Sequence, residues 1–394
     1  MEEPLAPARV RIEGIDVARG FALFGILVVN VQTFGGPFPW AQPDPWNHGV
    51  DRMVYAVTDA LFASKFFPLF GLLFGVSARL QLDAIEARGG SPGRFFARRM
   101  AGLFAIGLVH AALLSTIDIL VQYALLGLLL PLFRKLRDRT LVAIALVSLA
   151  VPVLIVLRLL ATGALVKTFG RLPPAEPMIA AYGRGDLATL FARRAKDLAG
   201  YYGWFASYSG WVMLATLTLG HTQRAAELVR DLPSSLDALR RIRRLGLGVG
   251  LPLAAVHASA FLHFKDHGPR DLWVFPAMSL SAYGAEPGLA LAYAASVLLF
   301  ARSGRLPRMA SALARMGRLS LTQYVGQSVV MNLVFFSFGL GLYGRVRPLA
   351  LLGFVALTYG AQLLFARAWL DRWEQGPLEA LWRRLTYGRP ASNG

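Results

Sequence analysis

The chain has 394 residues, 55% of them hydrophobic and only 16% charged, with a mean hydropathy of +0.49. Soluble globular proteins carry about 25% charged residues, so this composition excludes an ordinary water-soluble enzyme. The net charge of +18 fits Lys and Arg gathered in loops on one side of a membrane rather than a nucleic-acid partner, and the lack of cysteine removes disulfides, thiolate nucleophiles and thiolate metal sites.

Apolar runs of about 20 residues recur along the chain. They predict an all-α, polytopic transmembrane helical bundle with spans near 17–35, 65–82, 95–115, 118–133, 140–160, 201–220, 245–263, 285–301, 319–341 and 349–370, about ten in all. The N-terminus carries Glu2, Glu3, Arg9 and Arg11. The apolar run that follows outlasts a signal peptide and lacks a small-x-small cleavage site, so it is expected to stay as the first helix. With that end in the cytoplasm, 28 of the 41 Lys and Arg fall on the cytoplasmic side: Arg9, Arg11 and Arg19, then the stretches 79–99, 134–139, 224–244, 302–318 and 367–389. Both termini are therefore expected inside. Two segments outside are long. Residues 36–64 are rich in proline and tryptophan, with an interfacial helix expected from Val54 to Phe62; residues 161–200 hold an amphipathic piece from Asp186 to Leu198. The expected division is an N-terminal membrane half (1–225), a C-terminal membrane domain (226–390) and a free tail (391–394).

The third span carries the strongest chemical signal. His110 lies ~16 Å along the helix from Arg99, past the middle of a ~30 Å hydrocarbon core. An ionisable group at that depth points to function; the alternative is a neutral histidine bonded between helices. A short hairpin, Ser115-Thr116-Ile117, leads into Asp118, Gln122 and Tyr123. Antiparallel pairing puts Tyr123 at about the depth of His110 and Asp118 about a turn further out. Asp118 can orient the imidazole, cap its own helix, or do both. At the cytoplasmic end, Asp16 and Arg19 share a helix face at i, i+3. They mark the membrane boundary or, with Arg98 and Arg99, form a site for an anionic ligand. Asn30 and Gln32 approach the outer leaflet. The ninth span holds Gln323, Tyr324, Gln327, Ser328 and Asn332, of which Tyr324, Gln327 and Ser328 share a face. That stripe either lines a substrate cavity or cements helices. Gly71 and Gly75, and separately Gly246, Gly248 and Gly250, read as packing glycines.

Other patterns lead nowhere. Gly339-x-Gly341-x-x-Gly344 spells a dinucleotide fingerprint but follows no strand. His257, His263 and His267 lack metal-ligand spacing, so no metal is expected. Walker and Gly-x-Ser-x-Gly motifs are missing from the sequence.

Several blocks resemble the YeiB family of bacterial membrane proteins: Ile15-Asp16-x-x-Arg19-Gly20, Lys65-Phe-Phe-Pro-Leu-Phe-Gly71-Leu-Leu-Phe-Gly75, and Gly107-Leu-Val-His110 followed by Asp118-Ile-Leu-x-x-Tyr123. The C-terminal half resembles domain of unknown function 418, through Gly317-Arg318-Leu-Ser-Leu-Thr322-Gln323-Tyr324 and the segment Gly376 to Gly388. Gln323 stands where that family usually has Asn, and His221 where it usually has Arg. The family is similar in plan to transmembrane acyltransferases such as heparan-alpha-glucosaminide N-acetyltransferase and the bacterial sugar O-acyltransferases. The latter pair an Arg and a His at the spacing of Arg99 and His110.

That resemblance implies a multi-pass protein of the bacterial cytoplasmic (inner) membrane that takes an acyl group from cytoplasmic acyl-CoA, acetyl-CoA foremost, to an extracytoplasmic sugar or lipid-linked acceptor. In that reading His110, Asp118 and Tyr123 are catalytic, with His110 the general base. Arg19, Arg98 and Arg99 hold the CoA phosphates, and Asn30, Tyr324 and Gln327 contact the acceptor. Membrane lipids and a second copy of the chain are the other expected partners. A transporter or flippase using His110 and Asp118 as a proton relay is the rival expectation, and a non-catalytic membrane scaffold is the third.

Overall fold

The computed structural model describes residues 13–38, 40–164, 172–268, 271 and 273–387. The expected tail, Arg9, Arg11 and Pro39 lie outside the described residues. Within them the chain is helical, with one isolated bridge between Gln42 and Pro174. Among the described residues, seven helical segments are long and apolar enough to cross a bilayer: Glu13–Gly35, Gly49–Glu86, Pro92–Leu113, Asp138–Ala161, Leu236–His267, Val274–Ser303 and Pro348–Leu370. Their outward faces carry apolar side chains with nothing packed over them. Leu146, Val147 and Leu154 on Asp138–Ala161, and Leu357 and Leu364 on Pro348–Leu370, are each more than 60% exposed. Such a surface is stable only where lipid covers it. The chain is a polytopic helical membrane protein.

The three other expected spans take different forms. The 118–133 segment is two short helices, Leu120–Gly127 and Leu130–Phe133, because Gly127 and then Pro131, which has no N–H, interrupt the hydrogen-bond ladder. The 201–220 span is joined to the amphipathic piece expected before it. Leu187–Trp204, the π-helical turn Phe205–Ser209 and Gly210–Gly220 form one continuous helical run. The ninth span ends early: Ser320–Phe335 stops where Phe336 turns extended. The glycines of the false fingerprint then form a loop in which Gly341 and Gly344 have positive φ. A helix does cover the expected Val54–Phe62 stretch, but it starts five residues earlier and ends one earlier, as Gly49–Leu61.

Small residues let the central helices touch. The first helix crosses Pro307–Arg318 at Gly20 and Gly317, and a Cβ on Gly317 would stand 1.9 Å from the Asp16 carbonyl oxygen. Helix Phe66–Glu86 meets Gly210–Gly220 in the same way, through Gly71, Gly75 and Gly220. The expectation of packing glycines also holds for Gly246 and Gly250, whereas Gly248 faces open space. The main core joins side chains from both halves of the chain, among them Leu23, Leu69, Leu298 and Leu319. The halves at 225/226 therefore share one interior.

These contacts predict that Gly317→Val loses at least about 1–3 kcal/mol of stability through overpacking at a backbone that cannot move aside. Gly248→Val should leave the melting temperature of the detergent-purified protein nearly unchanged. Equal melting of the two variants would contradict the close crossing.

Candidate functional site

Helix Pro92–Leu113 ends three residues after His110, and the Leu114 and Ser115 N–H groups both bond back to the His110 carbonyl. The Ser115 hydroxyl accepts the Ile117 N–H at 3.2 Å and holds the turn tight. Asp118 follows and does the two things the sequence left open. Its Oδ1 accepts the Val121 N–H at 2.8 Å, capping the next helix, and its Oδ2 meets His110 Nδ1 at 2.7 Å. A carboxylate oxygen accepts, so Nδ1 carries a proton, and a neutral imidazole in this tautomer keeps its lone pair on Nε2. Ser328 Oγ lies 2.9 Å from Nε2, placed to donate to that lone pair. His110, Asp118 and Ser328 are each at most 1% exposed. This is an Asp–His–Ser relay: an orienting carboxylate, an imidazole in one tautomer and a hydroxyl whose proton the imidazole can take.

One face of helix Ser320–Phe335 completes the surroundings. The Tyr324 ring packs 5.0 Å from the His110 ring, and its hydroxyl lies 3.4 Å from the Ile117 carbonyl. Asn332, one turn beyond Ser328, donates its amide to the Leu114 and Ser328 carbonyls at 2.7 and 2.6 Å, and its Oδ1 accepts from Arg194 at 2.9 Å. Arg194 also donates to the Leu113 carbonyl, so a buried guanidinium closes the C-terminal end of the His110 helix. Burial lowers its pKa from the ordinary guanidinium range, which is high enough for the charge to persist.

The other expected site residues are placed differently. Tyr123 hydrogen-bonds the Phe67 carbonyl at 2.5 Å and stacks on Phe74, so its hydroxyl is committed to the neighbouring helix rather than to His110. Gln327 donates to Gln362 Oε1 and the Leu23 carbonyl, and Gln323 exchanges bonds with Gln362: these amides join helices. Asn30 is buried on the first helix. Arg19 bonds Ser77 at 2.6 Å and Asp16 at 3.5 Å, Arg99 lies 3.7 Å over the Trp382 ring, and Arg98 is exposed. Arg19 and Arg99 thus lean on different helices. The recess of about 570 Å³ near the start of the first helix is walled by Gly14, Arg230, Leu232 and Arg302 instead.

Sequence reading missed several groups. Ser328 was only one of a polar stripe, and its partner could not be read without the fold. Arg194 sat in an amphipathic piece where a solvent-facing arginine is the ordinary outcome. A second buried cluster also escaped notice. Lys65 bonds the Asp59 carbonyl at 2.5 Å, Asp59 Oδ2 lies 3.3 Å from His257 Nε2, and the carboxyl of Glu286 is buried within electrostatic reach of Lys65. Its one legible signal was Glu286 itself, a carboxyl inside an apolar run.

At the same end as the His110 turn, a cavity of about 270 Å³ opens between the first helix, the 36–64 segment, Arg194 and the loop after Phe335. Aromatic rings dominate its wall, among them Trp40, Tyr55, Phe261 and Tyr343. Tyr182 donates to Asp197 at 2.8 Å; burial, then Asp197, push its phenol pKa up and keep the proton in place.

The helix that delivers Arg194 starts at an Asp186 cap, which accepts the Thr189 N–H at 2.8 Å. Hydrogen bonds from Thr189 hold the Asp186 carboxyl below its ordinary range. Its contribution to stability is therefore complete above the unfolded-state pKa and is lost as pH falls through the lowered folded-state value. Asp186→Ala should lower the protection of the Thr189 amide against hydrogen exchange at neutral pH and abolish the acid-dependent loss of protection expected of the parent. An unchanged exchange profile would contradict the cap.

Residues 225–389 match the family described as "Protein of unknown function (DUF418)". Over nearly its whole length the chain is similar to "Uncharacterized protein YxaH" of Bacillus subtilis (strain 168), 27% identical over 96% of this chain and 94% of that protein. It is 28% identical to "Uncharacterized protein YeiB" of Escherichia coli (strain K12), over 94% of this chain and 95% of that one. An "Uncharacterized 39.9 kDa protein in amylase 3'region" of Bacillus acidopullulyticus is 26% identical over 96% and 94%. No solved structure matches.

Proposed function

We propose that this chain, a member of the DUF418 family of polytopic membrane proteins, is an integral-membrane acyltransferase. The buried Asp118–His110–Ser328 relay carries the reading. In the proposed cycle His110 Nε2 removes the Ser328 proton and Oγ attacks the thioester carbon of acyl-CoA. The C–S bond breaks, the imidazolium gives its proton to the departing sulfur, and the acyl group rests on Ser328 as an ester. An acceptor hydroxyl then gives its proton to Nε2, takes the acyl group and restores the Ser328 hydroxyl. A covalent intermediate suits a carrier whose donor and acceptor arrive from opposite faces of a membrane. Arg19, Arg98 and Arg99 would meet the CoA phosphates at the cytoplasmic end, and Tyr324 would pack beside the reacting groups.

With acetyl-CoA as donor, the purified protein should release CoA thiol and carry acetyl on the Ser328 peptide, read by mass spectrometry. His110→Ala should slow turnover by about 10²–10⁴-fold without unfolding the protein, and Asp118→Asn should do less harm. Ser328→Ala should carry no adduct. Arg99→Ala should raise the donor's Kd about tenfold, more in high salt. Full specific activity in well-folded His110→Ala would remove the relay from the mechanism.

The proposed setting is a bacterial cytoplasmic membrane, ten spans, both termini inside. Because the chain has no cysteine, a single cysteine at position 235 should label only from the cytoplasmic side. Labelling from the periplasm would overturn this topology.

A second reading, a transporter or flippase, is favoured by the Lys65, Asp59, His257 and Glu286 cluster. Ionisable groups in membrane helices also form proton relays. Proton-coupled flux in liposomes without acyl turnover would select it.

A further inference from the structure

Two buried donors on residues that line the aromatic cavity have hydrogen-bonding capacity left unmet. Gln32 Nε2 and Arg194 Nε are the donors without partners, and Asp59, whose Oδ2 pairs with His257 Nε2 at 3.3 Å, lines the same cavity. Gln32 is 7% exposed, Arg194 1% and Asp59 6%. Such unmet groups are costly to bury. Among the described residues no carboxylate pairs with Arg194: its other nitrogens go to backbone carbonyls at the end of the His110 helix and to Asn332. The neighbouring carboxylate, Asp197, is taken by Arg193 and Tyr182. The cavity thus presents an uncompensated cation beside an amide donor, a carboxylate acceptor and a wall of rings. Each demands a different part of one ligand: an anionic oxygen for Arg194 and Gln32, a hydroxyl for Asp59, and C–H faces for Trp40 and Phe261.

We propose that this cavity is a binding site for an anionic polyol, a small hydroxylated group carrying a phosphate or carboxylate, held by Arg194 and Gln32 at its charge and by Asp59 at a hydroxyl. The cavity, about 270 Å³, suits one headgroup rather than a whole lipid. Its lining includes Thr116 and Ile117, in the turn that joins His110 to Asp118. This proposal rests on the acyl-transfer reading only in giving the ligand the role of acceptor; the binding itself does not depend on it.

The test uses the full chain and measures binding without turnover. In detergent, glycerol phosphate should bind and glycerol should not. In nanodiscs, phosphatidylglycerol should raise the melting temperature above that in phosphatidylcholine if the polyol is a lipid headgroup, whereas glycerol phosphate alone should do so if it is a free metabolite. Arg194→Gln should weaken binding of the anionic probe by about tenfold. Since that variant also uncaps the His110 helix, Gln32→Leu provides the second measurement: it should weaken the same probe with the helix end intact. Equal binding of glycerol and glycerol phosphate, no response to either probe, or undiminished anionic binding in both variants would overturn the proposal. Anionic binding without CoA-dependent acylation of Ser328 would sink the acyl-transfer reading and leave this site standing; acyl turnover with no anionic preference would do the reverse.

Discussion

A helix that ends among other helices, away from water, leaves its last carbonyls needing donors, and the turn after Leu113 is where this protein meets that requirement. Arg194 and Asn332 supply the donors, from two different helices, to the carbonyls of Leu113 and Leu114. Once these are pinned, the chain reverses over a few residues and Asp118 falls back against His110. Because Asn332 also bonds the Ser328 carbonyl, the same junction holds the Ser328 hydroxyl at the free face of the imidazole. A structural need at a helix end and a chemically competent relay are met by one set of bonds.

Around this junction the bundle is drawn together by glycine crossings and by buried charge. Gly20, Gly317, Gly75 and Gly220 let backbones approach within the reach of a missing Cβ. At the cavity end, Lys265 pairs with Asp44 with both side chains fully enclosed, and Asp51 receives Arg347 and the Leu349 N–H. These pairs pull the 36–64 segment onto the helices that flank it. The cavity therefore has walls from distant parts of the chain, and its two unmet donors lie on elements held by different anchors. Breaking one member of a pair such as Lys265–Asp44 would strand a buried charge, which costs more than the pair contributes when whole.

Much of this was legible beforehand. The long apolar runs and a helix near 54–62 follow from composition and helical rise, and the short hairpin brings Asp118 near His110 while leaving open whether it caps its helix, orients the imidazole or does both. Tyr123 and Gln327 were harder. A tyrosine or glutamine on a membrane helix satisfies whichever neighbour is nearest, and those neighbours, Phe67 and Gln362, come from helices whose azimuth no periodicity reveals. The three arginines show the same limit: their common depth follows from charge distribution, while their separate supports at Ser77 and Trp382 depend on how helices pack.

By itself, then, the sequence determined that this is a helical membrane protein, where most of its helices lie, and that an imidazole and a carboxylate lie near each other across a tight turn. Those are consequences of local spacing and of the expense of placing polar groups in hydrocarbon. Tertiary structure decided that Ser328 faces Nε2, that Arg194 closes the helix end, that Glu286 joins Lys65 in a buried cluster, and that Gln32, Arg194 and Asp59 open onto one cavity. Each depends on the rotation of one helix against another distant in the chain, set by side-chain packing and glycine contacts that leave no periodic trace in the sequence.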